Sequence, residues 1–452
     1  MIQPAPAAEP AADGESRTRD VTPRLALRTS LVRLSVRPRS VLLLSLVPLL
    51  AVVFGVIGWL VDWRLGVDSA VYRAGALTLL QGDPLYDSNT LGTEPWWALL
   101  PFTYPPTAAL MFTPLALMPI QVAWGVLTAV SVLAMALVIR IAIGSLPAPT
   151  EDGPRWWASP ARSTLVFSLV LLGLEPVWRT IFLGQINLIL MALVVLDVLV
   201  ISARGSRWGG VLVGVAAAVK LTPLVFIGHL FVTGRRKEAF RALGTFAGLQ
   251  GLMFLIIPHD AFRYWTFTLP DTGRIGPLHW AGNQSLNGLM NRLTDLAPWA
   301  GTAAYGLGAV LAIPALWLML KFHRRGQALA ALLVTAFWIL LVSPVSWSHH
   351  WVWAVPLIVL LVSRLPKTTP ATAWKRWLGA TAVIAVFVSC VLLALPNGRS
   401  IELHWAVWEF VLGSSYILMP LVLAAVLVTR WLLRRRAARA NPPAEHVDAT
   451  TG

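Results

Sequence analysis

A chain of 452 residues that is 57% apolar and only 13% charged cannot hide its apolar side chains inside water-soluble domains, which excludes the two or three soluble domains its length alone would suggest. The formal net charge of +15 does not point to nucleic acid, because the basic residues stand in short clusters at the ends of apolar runs, where membrane topology puts them. The lone Cys390 sits in an apolar run, so neither a disulfide framework nor a thiolate metal site is available.

In chain order, residues 1–40 read as a disordered basic tail: Pro, Ala and Glu come first, then Arg17, Arg19, Arg24, Arg28, Arg33, Arg37 and Arg39. The apolar run 41–61 comes too late for a signal peptide and lacks a cleavage site behind it, so it is expected to be an uncleaved first span. Further apolar runs occur near 120–140, 163–178, 186–202, 241–257, 301–321, 328–344, 351–363, 377–395 and 412–433. About 20 residues at ~1.5 Å each cross a bilayer core. The reading is therefore an all-α polytopic membrane protein with about 10 full spans, its transmembrane domain covering 41–433. The polar tail 434–452, opened by Arg434-Arg435-Arg436, is expected to be disordered.

Charge tests this list. With the N-terminus in the cytoplasm, Arg140/Arg155/Arg162, Arg204/Arg207, Arg235/Arg236/Lys237/Arg241, Lys321/Arg324/Arg325, Arg364/Lys367/Lys375/Arg376 and the C-terminal Arg cluster all fall inside, as the positive-inside rule requires. Both termini are then cytoplasmic, in a multi-pass protein of the plasma membrane. Residues 208–233 begin and end beside inner clusters, and each half has roughly a dozen residues, about 18 Å, too short to cross. A broken or re-entrant pair follows, with Lys220-Leu221-Thr222-Pro223 at its apex, where non-helical backbone must border protein or a water-filled cavity. The segment 62–119 is extracytoplasmic on this topology. The spacing of Tyr72, Ala76, Leu79 and Leu80 predicts an amphipathic surface helix, and 106–118 a half-length apolar helix behind a Pro-Pro start.

The outer segments carry the polar motifs. Asp68, just after the first span, suits two roles: an ionised carboxylate able to act as a general base, or a helix cap for 69–80. Asp62 is a weaker rival. A charged Lys220 at depth costs ~2.5–3.5 kcal/mol on insertion scales, so it should face an anion or an aqueous cavity. Arg179 and Arg274 stand in outer segments, either converging with Lys220 on a phosphate or touching lipid headgroups. His349-His350 suits proton transfer or hydrogen bonding; no further ligands at metal-like spacing accompany the pair. Trp96, Trp97, Trp280, Trp347, Trp351 and Trp353 form an interfacial belt, one or two of them free to stack on a sugar. Asn283-Gln284-Ser285 matches a glycosylation triplet that arises often by chance, and is read as a polar binding loop.

Taken together, Asp68-x-x-Val71-Tyr72, Phe102-Thr103-Tyr104-Pro105-Pro106, Gly184-Gln185-x-Asn187, Lys220-Leu221-Thr222-Pro223, Asn283-Gln284-Ser285 and the stretch Ser343 to Trp353 resemble glycosyltransferase family 87, from about residue 60 to 365. These are polyprenol-phosphate-mannose-dependent α-1,2-mannosyltransferases with the type C glycosyltransferase fold. The resemblance implies an inverting transfer of mannose from polyprenyl-phosphate mannose to a mannosylated glycolipid at the extracytoplasmic face, the acceptor being a phosphatidylinositol mannoside, lipomannan or lipoarabinomannan. Asp68 would be the base. Arg179, Lys220, Arg274 and His350 would hold the donor phosphate, while Tyr72, Tyr104, Gln185, Asn187, Asn283, Gln284, His349 and Trp351 would line the substrate site. The pair Tyr72-Arg73 and the stretch Asp83-Pro84-Leu85-Tyr86 depart from several relatives, which bears on acceptor choice. Neither metal nor cofactor is implied. The rival reading is a lipid flippase or transporter, since a broken helix pair with a lysine also suits a substrate pathway; the inverted repeats it calls for are not visible in the chain.

Overall fold

The computed structural model describes residues 38–146, 159–365 and 373–440. Of the tails expected at 1–40 and 434–452, residues 1–37 and 441–452 lie outside them, as do the inner-loop residues Arg155 and Lys367. Among the described residues the fold is helical, with a single isolated bridge, Asn283 to Trp347, in place of any sheet.

The chain opens with α1 (Pro38–Leu60), α2 (Val67–Gln81), and the short α3 (Pro106–Met111) and α4 (Thr113–Ala116). Pro105 ends the preceding extended stretch and Pro106 opens α3, where a missing N–H costs nothing. Then come α5 (Ile120–Gly144), α6 (Pro160–Val170), α7 (Glu175–Leu183) and α8 (Asn187–Leu196), the last continuing through one wide and then one tight turn to Arg204. The middle holds α9 (Val211–Val219), α10 (Val225–Val232), α11 (Arg236–Ile256), α12 (Pro258–Arg263) and α13 (Leu286–Leu293). The last part holds α14 (Ala300–Arg324), α15 (Ala328–Val342), α16 (Ala354–Ser363), α17 (Trp374–Val388), α18 (Val391–Ala394), α19 (Val407–Gly413) and α20 (Ser415–Ala440). Helix α20 thus runs on through Arg434–Arg436, and α1 already begins at Pro38.

Among the described residues, five helices are long and apolar enough to cross a membrane: Ile120–Gly144, Asn187–Arg204, Arg236–Ile256, Ala300–Arg324 and Ser415–Leu433; counting the bent pair 160–183 as one span makes six. The expectation of about 10 full spans is therefore not met, for local reasons. The run 163–178 turns by 76° between Gly173 and Glu175, so α7 lies across α6 rather than extending it. Ala328–Val342 and Ser348–Ser363 are apolar but shorter; the 15 residues of α15 reach only about 22 Å against a core of about 30 Å. The run 377–395 is interrupted at Cys390, which takes a left-handed φ of 51°.

Residues 208–233 break where their length predicts. Lys220 is extended (φ −146°, ψ 131°) between α9 and the turn leading into α10. Helix α5 is the central post, packed by α1, α6, α8 and α16. A Cβ on Gly55 would stand 2.6 Å from the Gln121 carbonyl and one on Gly125 2.8 Å from that of Ala51, so α1 and α5 meet backbone to backbone, as small residues permit between membrane helices.

Candidate active site

Two left-handed glycines build the first half of the site. Gly66 (φ 67°) stands two residues before Asp68, and Gly184 (φ 72°) one residue before Gln185. A Cβ on Gly66 would lie 2.3 Å from both Ser69 Oγ and the Trp124 ring, and one on Gly184 2.5 Å from Ser69 Oγ and 3.0 Å from the same ring. Trp124 Nε1 donates to the Ile181 carbonyl at 2.8 Å. The starts of α2 and the α7–α8 turn are thereby drawn onto one spot, in conformations only glycine adopts without strain.

The contact that results is Gln185 Nε2 donating to Asp68 Oδ2 at 2.8 Å. On its other side the amide oxygen of Gln185 accepts from Tyr72 Oη at 2.6 Å and Tyr104 Oη at 3.2 Å, and the two hydroxyls lie 2.8 Å apart. Burial pushes both phenols well above their ordinary range, so they remain donors, and two donors on the oxygen fix which way the amide faces. Asp68 itself is partly accessible. Burial raises its carboxyl to about 6, against the lowering pull of Gln185, Lys220 and Arg179. The capping alternative fails: the residue before α2 is Gly66, and no side-chain cap is made there.

The second half gathers around Lys220, whose Nζ lies 3.0 Å from Asn187 Oδ1 and 3.1 Å from His350 Nε2. An ammonium donates to both, which makes Nε2 the acceptor nitrogen of His350 and leaves one N–H of the three unused by these contacts. The break at Lys220 is what frees its side chain from the helix surface. Asn187 Nδ2 and Thr180 Oγ1 both donate to the His349 carbonyl, at 3.1 and 3.0 Å, pinning the histidine turn to α7 and α8. The two ring nitrogens of His349 are buried with no hydrogen-bond partner among the described residues; the ring stands edge-on to His350 at 4.8 Å. Arg179 joins this group electrically, acting on Asp68 and His349, while Nη1 stands 3.5 Å from Glu175 Oε1 and the guanidinium 5.2 Å from the Trp280 ring.

A groove opens from this cluster. Asn187, Lys220, Thr222 and His350 form its polar wall; Leu190, Met191, Val194, Phe226, Leu340 and Trp353 are among its apolar lining. Asn187, Leu190, Met191 and Val194 follow one face of α8, so polarity falls away over about 10 Å from the Lys220 end. Such a groove suits a charged head joined to a hydrocarbon tail.

Four expected site residues are placed elsewhere in role. Trp351 is fully buried and packs against Phe337 and Tyr416, at 5.7 and 5.5 Å: a core ring, not a sugar platform. Asn283 and Gln284 are likewise 0% exposed. Asn283 Nδ2 donates to the Leu278 carbonyl at 2.9 Å and its Oδ1 accepts from Ser346 N at 3.0 Å, while Gln284 Nε2 reaches the Ala281 and Gly413 carbonyls at 2.7 Å each. The expected binding loop is internal scaffolding, its side-chain amide N–H groups spent on backbone carbonyls. Arg274 donates to the carbonyls of Tyr86 and Ser88, fixing that outer loop, and no described contact joins it to Lys220.

One buried residue escaped the sequence reading. Glu175 is 0% exposed; Oε1 accepts from Ser348 Oγ at 2.8 Å and Oε2 from Tyr416 Oη at 2.7 Å. Its signal was present: an acid in an apolar stretch with its only nearby opposite charge one turn on, at Arg179.

Comparisons with known proteins bear on what this site does. The model of glycosyltransferase family 87 matches residues 102–344. A polyprenol-phosphate-mannose-dependent α-(1-2)-phosphatidylinositol mannoside mannosyltransferase of Mycobacterium tuberculosis is 33% identical over 411 residues, covering 85% of this chain and 92% of the relative. A polyprenol-phosphate-mannose-dependent α-(1-2)-phosphatidylinositol pentamannoside mannosyltransferase of the same species is 34% identical over 361 residues, 77% of this chain and 79% of that one. A crystal structure of ArnT from Cupriavidus metallidurans bound to undecaprenyl phosphate aligns over 86% of this chain and 72% of that one, at 19% identity and a TM-score of 0.41, too slight a likeness to establish a shared fold.

Proposed function

Because the chain belongs to glycosyltransferase family 87 and is a membrane-embedded glycosyltransferase, we propose that it transfers mannose from polyprenyl-phosphate mannose to a mannosylated phosphatidylinositol lipid, forming an α-1,2 bond with inversion at the extracytoplasmic face, on a type C glycosyltransferase fold. The observation that carries this reading is a partly accessible carboxylate, Asp68, held by Gln185 beside a lysine that heads an amphiphilic groove.

Donor binding follows from that groove. The isoprenoid lies along the apolar face of α8, and its phosphate meets the free N–H of Lys220, with Arg179 and His350 in support. Asp68, ionised above pH 6, accepts the proton of the acceptor mannose 2-hydroxyl. That oxygen attacks C1 of the β-mannosyl phosphate; the bond from C1 to the phosphate oxygen breaks, and its electron pair leaves with the polyprenyl phosphate. Charge grows on the departing oxygen as the bond breaks, so cations already aimed there supply several kcal/mol to the transition state. Asp68 then returns its proton to solvent. The Tyr72–Tyr104–Gln185 set serves the base more directly than the substrate: it leaves one carboxylate oxygen, Oδ1, for the incoming hydroxyl.

The test is purified protein with polyprenyl-phosphate mannose and a phosphatidylinositol mannoside acceptor, the product read by mass and by the anomeric coupling of the new linkage. Asp68→Asn is expected to abolish transfer at undiminished folded yield. Transfer retained by that variant removes Asp68 from the chemistry, and lipid movement without a new glycosidic bond replaces the enzyme reading with a flippase.

A further inference from the structure

Glu175 takes no part in the steps above, yet its carboxylate joins side chains from two other elements that support the site. It opens α7, immediately after the 76° turn. One carboxylate oxygen holds Ser348, one residue before His349 and two before His350; the other holds Tyr416 on α20. Arg179 lies one turn along the same helix, its Nη1 at 3.5 Å, a long contact that leaves the guanidinium tethered but not consumed. Thr180 fastens the same helix to the His349 carbonyl. Both short partners of Glu175 lie beyond residue 344, where the family model's match ends.

We propose that Glu175 is a positioning residue whose carboxylate locks α7, the histidine turn and α20 into one block, so that Arg179 and His350 stand at a fixed separation when the lipid phosphate arrives. This rests on the transfer reading above and adds to it the C-terminal helix as a working part. A full-charge hydrogen-bond acceptor with two short donors is a stiff joint. A buried carboxylate stripped of a donor lets the elements it joined drift, and a small misplacement of Arg179 and His350 lowers turnover and loosens the hold on the charged lipid phosphate while sparing the acceptor site.

Two variants change the joint without changing any charge. Tyr416→Phe and Ser348→Ala are each expected to lower kcat by about tenfold with the acceptor KM within about twofold, and the double variant to fall short of the product of the two, since both hydrogen bonds end on one carboxylate. Glu175→Ala is expected to lose about a hundredfold, and Glu175→Gln, which keeps shape and an acceptor oxygen but no charge, to recover to within about tenfold of the parent. Glu175→Gln no better than Glu175→Ala at equal folded fraction overturns the proposal in favour of a charge effect. Full turnover in Tyr416→Phe overturns it outright, as do multiplicative losses in the double variant. Binding of polyprenyl monophosphate to the purified parent and to Tyr416→Phe, both in nanodiscs, separates this claim from the one it rests on. A parent that binds the lipid phosphate but transfers no mannose refutes the transfer reading, while an affinity lowered in Tyr416→Phe still upholds the lock and an unchanged one still rejects it.

Discussion

Asp68 is a carboxylate whose protonation range has been moved into the physiological window by burial, to about 6. Two consequences differ in sign. In its proposed role as base Asp68 must be ionised, so kcat/KM is expected to fall as pH drops through about 6, read from a pH–rate profile of the purified enzyme. Stability runs the other way: a folded-state value above the unfolded ~3.9 means that folding favours the neutral acid, a contribution present at low pH and lost as pH rises through 6. Asp68→Asn is therefore expected to unfold at an equal or higher temperature than the parent at pH 7.5, which separates dead chemistry from a collapsed protein. Gln185→Leu removes the donor that lowers the carboxyl, so the acidic limb of the profile should move up by about one pH unit; an unmoved limb would mean that another group sets it.

Among the elements, the turns decide where chemistry sits. Gly184 must keep φ near 72°, and any Cβ there meets Ser69 Oγ at 2.5 Å. Gly184→Ala is expected to cost about 1–3 kcal/mol and to lower transfer by separating Gln185 from Asp68, seen as a lower thermal midpoint together with a lower kcat. What the sequence made legible follows from the same logic. Helix breaks announced by composition, such as Lys220-Leu221-Thr222-Pro223 and the Pro105-Pro106 start, fall where they were expected, because a proline or an unaffordable charge leaves few alternatives. Apolar runs overcounted the spans, because hydropathy reports that a segment avoids water and not whether it stays straight; Pro176 at the start of α7 marks a break in 163–178, but nothing in that run sets its angle of 76°. Polar motifs stand out in the sequence but carry no mark that sorts one from another. Asn283 and Gln284 look like Gln185 and Asn187 in a one-dimensional string, and only the packing tells a side chain that meets a ligand from one spent on its own backbone. Glu175 was passed over because its partners, Ser348 and Tyr416, lie far along the chain.

For the whole molecule, the proposed orientation makes an accessible prediction. Trp96 is 69% exposed in the segment between α2 and α3, and Arg325 is exposed between α14 and α15. With Cys390 replaced by Ser, a membrane-impermeant maleimide applied to intact cells should label Trp96→Cys and leave Arg325→Cys unlabelled until the membrane is opened; the reverse pattern would turn the active site toward the cytosol. The Glu175 joint also has a consequence in time. Its two short partners follow it by 173 and 241 residues, and at about 5–20 residues per second the ribosome needs roughly ten to fifty seconds to deliver the second. Through that interval the nascent chain carries an acid already committed to an apolar setting, with only the arginine one turn ahead to offset it. Insertion of this protein is thus completed from its far end, and a chain released before its last helix should be a substrate for quality-control proteolysis even though every span upstream is present.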